Sequence, residues 1–243
     1  MSENFCVTLT TIPARLKEIN KTINSINNQT LKPKKIFLNI PKQYYRFPNE
    51  KIDESYIKKI ENENIVVSRC DDYGPATKLM GSIQQIREFD CAIIIDDDHI
   101  YHEKMCEIFI EEFNRKRINY SFYSDKIFDI KMAQCADGFL VNTDFLDKIE
   151  IFYKKNVMNN KNLFMDDDFW FALYFQLNKK VETENIIEIF RKKTGKKIVY
   201  DIHSNKEALS KSVHNPKKII NRKKIAKIEY IKFKVKRFLS LNN

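Results

Sequence analysis

Cys91-Ala92-Ile93-Ile94-Ile95-Asp96-Asp97-Asp98 is the stretch on which the fold turns. Five apolar residues in a row, three of them β-branched, predict a strand buried on both faces, as in parallel sheets covered by helices. Three carboxylates follow with no residue between. Ligands of open α/β sheets bind beyond the carboxyl ends of the strands, and these acids stand at such an end. Alternation along an extended chain predicts that Asp96 and Asp98 point one way and Asp97 the other. Two convergent carboxylates are hard oxygen ligands for Mg2+ or Mn2+, ions that neutralise a diphosphate. The competing reading is a solvated acidic turn, and the apolar run directly before the acids weighs against it.

Upstream, the pattern alternates. Phe5-Cys6-Val7-Thr8-Leu9-Thr10 reads as a buried strand, and Leu16, Ile19, Ile23 and Ile26 recur at helical spacing over Leu16 to Asn27. Lys35 to Ile40 is a second strand stopped by Pro41, Ser55 to Asn62 a short helix, and Ile65 to Arg69 a third strand. Tyr73-Gly74-Pro75 turns the chain into a helix over Ala76 to Arg87. Strands alternating with helices predict an α/β fold with a mainly parallel central sheet flanked by helices. Downstream the pattern is less regular. It gives a helix over Glu103 to Lys116, short strands within Tyr120 to Met132, a strand at Gly138-Phe139-Leu140-Val141 and a helix over Asp166 to Leu177.

The chain has 243 residues and 43% hydrophobic content, enough for one large core and too much for wholesale disorder. Cys6, Cys70, Cys91, Cys106 and Cys135 are odd in number and never spaced as CxxC, so they predict reduced thiols rather than a disulfide framework or a zinc site. No basic leader with a long apolar stretch and no membrane-length apolar run is apparent; the expectation is a cytoplasmic, non-secreted protein. Eight Lys and two Arg against one Glu fall between Lys217 and Asn243, nearly all of the chain's net charge of +10. The body is close to neutral, so a nucleic-acid surface would have to sit on the tail, and nucleic acid is not an expected partner.

Two further features carry chemistry. Asp166-Asp167-Asp168 opens a helix, where the dipole favours negative charge; a carboxylate there could also take a proton from an attacking hydroxyl. Trp170, the sole Trp, reads with Phe171 and Tyr174 either as core or as a wall on which an acceptor stacks. Asp71-Asp72-Tyr73-Gly74-Pro75-Ala76-Thr77-Lys78 joins a strand to a helix whose free N–H groups attract anions, with Lys78 within reach of a phosphate. It lacks the glycines of a P-loop, and a capped helix with a surface Lys reads equally well.

In this order the pieces resemble the GT-A class of nucleotide-sugar glycosyltransferases, DxD-containing and similar to glycosyltransferase family 2, over about residues 5 to 178. Thr8 to Leu16 looks like the family's opening strand and loop, which implies nucleoside contacts from Thr10, Thr11, Pro13 and Arg15. Lys32 to Ile36 is similar to the start of its second strand. The Asp71 to Leu79 segment implies donor contacts from Asp71, Asp72 and Lys78. Asp96-Asp97-Asp98 resembles the DxD motif, which implies metal ligation by Asp98 with Asp96, and nucleotide contacts from Asp96 and Asp97. Ala136-Asp137-Gly138-Phe139 looks like the strand beside donor sugar and acceptor, adding Gly138 and Phe139 to Trp170 as sugar-site candidates. Asp167-Asp168 resembles the later acidic pair that supplies the catalytic base. Some members add a C-terminal histidine ligand, for which His203 and His214 are the candidates.

The resemblance implies a metal-dependent, hexosyltransferase-type enzyme. Mn2+ or Mg2+ would be its cofactor, a UDP-sugar its donor, and a glycan, glycolipid or protein hydroxyl its acceptor, with inversion. Residues 1–215 would form the catalytic domain and residues 216–243 a basic amphipathic tail. Ile220, Ile228, Ile231, Val235, Phe238 and Leu239 among the tail's lysines suit a helix lying on an anionic membrane or one packed on the domain. The rivals are a metal-dependent nucleotidyltransferase or nuclease gripping nucleic acid through that tail, and a catalytically inactive module of the same fold.

Overall fold

The computed structural model describes residues 4–202 and 216–241. The strands are β1 Phe5–Thr10, β2 Lys35–Pro41, β3 Ile65–Cys70, β4 Cys91–Ile94, β5 His99–Tyr101, β6 Asn119–Ser121, β7 Ser124–Ile127, β8 Ile130–Ala133, β9 Phe139–Asn142, β10 Thr183–Asn185 and β11 Val199–Asp201. Seven of them form one sheet in the order β10-β6-β9-β4-β1-β2-β3. The neighbours β4, β1, β2 and β3 are parallel; β9 runs antiparallel to both β4 and β6, and β10 is parallel to β6. β5 pairs with β11, and β7 with β8, as two small antiparallel sheets. The architecture is α/β with a mainly parallel central sheet flanked by helices.

Two core layers follow from the pleat, which sends successive side chains to opposite faces. Cys6, Ala92 and Ile94 join Leu79, Ile86 and Trp170 on one face, while Val7, Cys91 and Ile93 join Ile19, Ile23 and Phe109 on the other. The run from Cys91 to Ile95 is at most 1% exposed. Removing a large apolar side chain from water contributes roughly 1.5–3 kcal/mol, so this run is a main anchor of the sheet.

The helix expected over Ala76 to Arg87 is broken, and the break has a steric cause. Helical turns Thr77–Met80 and Ile83–Ile86 flank Gly81-Ser82. A Cβ on Gly81 would stand 2.6 Å from Cβ of Asn39 on β2, so only glycine allows the approach. The Ser82 hydroxyl bonds Oδ1 of Asn39 and Oγ of Ser68, and Asn39 Nδ2 donates to the carbonyl of Lys78 at 3.0 Å. The Thr8 hydroxyl donates to that same carbonyl. Buried polar groups of two strands therefore pin the backbone that carries Lys78.

The helix that begins at Asp167 runs to Ala172 and then widens into a π-helical segment, Leu173–Asn178. The last helix spans Pro216–Leu241. It packs on the domain through Ala226 and Tyr230, with Phe233 half-buried against the same core. Glu229 accepts from Asn160 at 2.8 Å and Asn162 at 3.1 Å. Among the described residues, no helix is long and apolar enough to cross a membrane.

Candidate active site

Because β4, β1, β2 and β3 are parallel, the loops that follow them emerge along one edge of the sheet. Antiparallel β9 begins at that edge, with Phe139 opposite Ile94. The loop after β1 supplies Thr11 and Arg15, the segment after β3 supplies Lys78, and the turn after β4 supplies Asp96-Asp97-Asp98. The turn before β9 adds Cys135 and Asp137, and a helix start brings Asp166-Asp167-Asp168 to the same place.

Lys78 joins the two acidic triplets. Its side chain is 5% exposed, and its Nζ bonds Asp96 Oδ1 on one side and Asp167 Oδ2, at 3.0 Å, on the other. Burial pulls the Lys78 pKa down, but Asp167 and Asp96 outweigh burial and hold it well above its ordinary value, so the ammonium persists. The alternative reading, a capped helix with a surface Lys, is corrected here. Lys78 is a buried cation already clasped by two carboxylates.

The first triplet does not alternate as an extended strand would. β4 ends at Ile94, so the acids lie in an irregular turn. Asp97 is buried, accepting from the Thr11 hydroxyl at 2.6 Å and from Arg15. Arg15 also meets Asp98 Oδ2 at 3.1 Å, so Asp97 and Asp98 share one guanidinium while Asp96 turns to Lys78. The pairing of Asp96 with Asp98 against Asp97 is thereby corrected.

His99 is a component that the sequence reading missed. Its Nδ1 lies 2.9 Å from Asp98 Oδ1 and its Nε2 3.0 Å from Asp201 Oδ1, because β5 and β11 pair His99 with Asp201. Burial lowers the imidazole pKa, but the Asp98 hydrogen bond and charge raise it further, to about 9, so the ring is cationic at neutral pH. Those same contacts hold Asp98 below the usual carboxylate range despite its burial. Tyr101 ties two turns together, accepting from Asp96 N–H at 3.0 Å and donating to the Ala136 carbonyl at 2.8 Å.

In the second triplet Asp166 is the helix N-cap, accepting from Phe169 N–H at 3.2 Å. Arg222 of the last helix forks onto its carboxylate at 2.7 and 2.6 Å and also reaches Asp168 at 3.4 Å. Asp168 accepts from Cys135 N–H at 3.0 Å. Burial, reinforced by the neighbouring Asp167 charge, pushes the Asp168 pKa up to about 7. Burial likewise raises Asp137 to about 6 and lifts the Cys135 thiol well above its normal value. The ligand atoms of Cys135, Asp167 and Asp168 lie within 4.8 Å of one another and could coordinate a divalent cation.

Charge and ligand chemistry both bear on that cation. Among the described residues, the six aspartates face Arg15, Lys78, Arg222 and the His99 imidazolium, which leaves negative charge in surplus. A surplus of carboxylate oxygens fits Mg2+ or Mn2+, whereas the protonated, soft thiol of Cys135 suits neither.

The remaining expected residues divide. Thr10, the last residue of β1, donates its hydroxyl to the Asn39 carbonyl at 2.7 Å, and Pro13 opens a 3-10 turn in the segment that follows. Asp71 is exposed, while Asp72 accepts from Gly74 N–H in its own loop and from Tyr45 N–H in the segment after β2, at 2.7 Å each. Gly138 has φ +102°, a conformation that favours glycine. Trp170 is 0% exposed and stacks on Phe152, and Phe139 is 2% exposed against Phe171 and Phe175. Neither offers a sugar a face, so both move from the sugar site to the core. His203 and His214 lie outside the described residues.

No family model matches the sequence, and no curated protein matches it. Solved structures do. A mannosyltransferase from Pyrobaculum calidifontis in complex with GDP-Man and Mn2+ is 10% identical, with TM-score 0.52, over 75% of this chain and 54% of that one. The 4-diphosphocytidyl-2C-methyl-D-erythritol synthase of Anaerococcus prevotii is 12% identical, with TM-score 0.52, over 75% of this chain and 86% of that one. TarS from S. aureus is 14% identical, with TM-score 0.45, over 61% of this chain and 49% of that one. The chain spans about half the length of the first solved structures it matches. At these identities the likeness is one of fold, and the fold is the Rossmann-like GT-A architecture.

Proposed function

We propose that this chain is a metal-dependent glycosyltransferase that moves a sugar from a nucleoside-diphosphate donor to an acceptor hydroxyl with inversion. One observation carries the reading. Two aspartate triplets about seventy residues apart in sequence meet at the carboxyl edge of the sheet, on either side of Lys78 and with carboxylate charge left over. Such an edge is where α/β sheets bind ligands. The surplus suits the divalent cation that a diphosphate requires.

Asp98 and Asp96, with Asp167 across Lys78 from Asp96, are the oxygen donors that would hold Mn2+ or Mg2+. When bound, that ion neutralises the departing nucleoside diphosphate. Lys78, fixed between the triplets, adds positive charge beside the phosphates. Thr10, Thr11, Pro13 and Arg15 would contact the nucleoside, and Asp71 and Asp72 are further donor contacts implied by the family resemblance. Asp168 takes the proton of the attacking hydroxyl. The Cys135 amide fixes one of its oxygens, and a pKa near 7 suits a general base working at neutral pH. The resemblance to family 2 points to a UDP-sugar. The similar mannosyltransferase was solved with GDP-Man, so both bases belong in the test.

A second reading is nucleotidyl transfer. The similar synthase is covered over 86% of its own length, against 54% for the mannosyltransferase. Release of nucleoside diphosphate separates sugar transfer from nucleotidyl transfer, which releases pyrophosphate from a nucleoside triphosphate. Thermal-shift titration with UDP, GDP, CDP and their sugars, with and without Mn2+, should give a stabilising, metal-dependent hit. Donor hydrolysis should then release the matching diphosphate. Flat melting traces for every nucleotide in the presence of Mn2+ would exclude the sugar-transfer reading, and flat traces with the nucleoside triphosphates would exclude nucleotidyl transfer.

A further inference from the structure

We infer that the outward face of the C-terminal helix is a docking surface for an anionic lipid bilayer. The inference stands on that helix alone and goes beyond the sugar-transfer reading. Ala226, Tyr230 and Phe233 face the domain, while Ile228, Ile231, Val235, Phe238 and Leu239 are 44–67% exposed. At about 100° per residue these five fall in one arc of roughly 100°, centred opposite the packed face. The helix is therefore apolar on two opposite sides, and only one of them is covered by the described residues.

The flanks of the exposed arc identify what covers the other side. Lys223, Lys227 and Lys234 border it on one side and Lys232 and Lys236 on the other, with Lys224 inside it, and all six are exposed. This arrangement matches helices that lie in the interface plane, apolar side chains among the acyl chains and lysines at the headgroups. A second copy of the same surface would bring these lysine rows against their like, whereas a bilayer bearing phosphatidylglycerol or phosphatidylserine supplies the opposite charge. The helix is about 39 Å long and too polar to span a membrane, so it would lie along the surface.

The docked face is also tied to the aspartate site. Arg222, on the inner side of the helix, forks onto Asp166, and Lys236 bonds the Lys155 carbonyl and Asn156 Oδ1 at 3.2 Å each. These contacts fasten the helix to the domain near both of its described ends. A membrane bound by the outer face would therefore stand at a fixed offset from Asp166-Asp167-Asp168.

The test is vesicle flotation of the full chain. Liposomes of about three parts phosphatidylcholine to one part phosphatidylglycerol should carry it up, and pure phosphatidylcholine should not. The double substitution Val235→Glu and Phe238→Glu should weaken binding by about tenfold or more, with unchanged circular dichroism because both residues are exposed. Lys224→Gln with Lys227→Gln should weaken it less, and added salt should mimic that loss. Failure of the native chain to float with anionic vesicles would overturn the inference, as would equal flotation of the Val235/Phe238 variant. A dimer in sedimentation that the same variant dissolves, without vesicle binding, would assign the face to a second copy instead.

Discussion

Asp96-Asp97-Asp98 and Asp166-Asp167-Asp168 are the same three letters, yet the chain holds them by different physics. The first triplet follows a buried strand, and its charges are met by cations from elsewhere: Arg15 from the loop after β1, Lys78 from the segment after β3, and His99 beside it. The second opens a helix, and part of its charge is met by the backbone, through Phe169 N–H on Asp166 and Cys135 N–H on Asp168. Its first acid is a structural cap locked by Arg222; its last is drawn towards neutrality by burial. The triplets differ in kind, one a set of carboxylates met by side-chain cations, the other a cap followed by a candidate base. Among the described residues, Lys78 alone pairs with both.

That division predicts different losses on substitution. Asp168→Asn removes a proton acceptor and should lower kcat by about 10²–10⁴-fold while leaving Mn2+-dependent stabilisation by the nucleotide in place. Asp98→Asn should remove that stabilisation itself. Steady-state rates alongside melting curves with and without Mn2+ separate the two, and equal metal dependence in both variants would erase the contrast. Next in size comes the shared cation. Lys78→Met leaves Asp167 and Asp96 facing each other with no charge between them. Removing one partner of a buried pair costs about 3–5 kcal/mol, readable as a lower urea midpoint. A loss under about 1 kcal/mol, the worth of a surface ion pair, would mean that the triplets do not depend on each other.

The parts that were legible in the sequence are those with a strong local signal. β1 to β4 were visible as apolar runs closed by Pro41, Gly74 or charge, and their alternation with helices gave the α/β class. The edge carrying Asp96 followed from strand direction. The parts that were not legible depend on distant partners. β5 and β11 are three residues each, paired across about a hundred positions, so no window contains the pattern that makes His99 face Asp201. Helical periodicity ran smoothly through Gly81, and the break comes from the Asn39 side chain on another strand. Arg222 read as one more tail cation, although its fork onto Asp166 makes it part of the site's scaffold. Asp97 was misplaced because alternation was carried through Asp98, past Ile94, where β4 ends.

Asp97 gives the next sharpening of the comparison. Asp97→Asn keeps the shape but loses the charge that meets Arg15, a buried charge-assisted contact that should cost about 2 kcal/mol. For a chain of this size that is about 4–8 °C in melting temperature. The shift should be nearly the same with and without Mn2+, since Asp97 braces the loop after β1 rather than facing the cation. A shift that appears only with the metal would move Asp97 into the ligand set.

The smallest expected effect isolates the cap. Asp166→Ser keeps an oxygen for Phe169 N–H but frees Arg222, whereas Asp166→Ala loses both. The two variants should therefore differ by about 1 kcal/mol, the worth of an N-cap, with Ala the less stable. The loss they share belongs to the Arg222 fork, and Arg222→Met should reproduce that loss without touching the cap. If Ser and Ala melt together, the second triplet is held by its cation alone. Backbone capping then contributes nothing there, and the two acidic sites are physically alike after all.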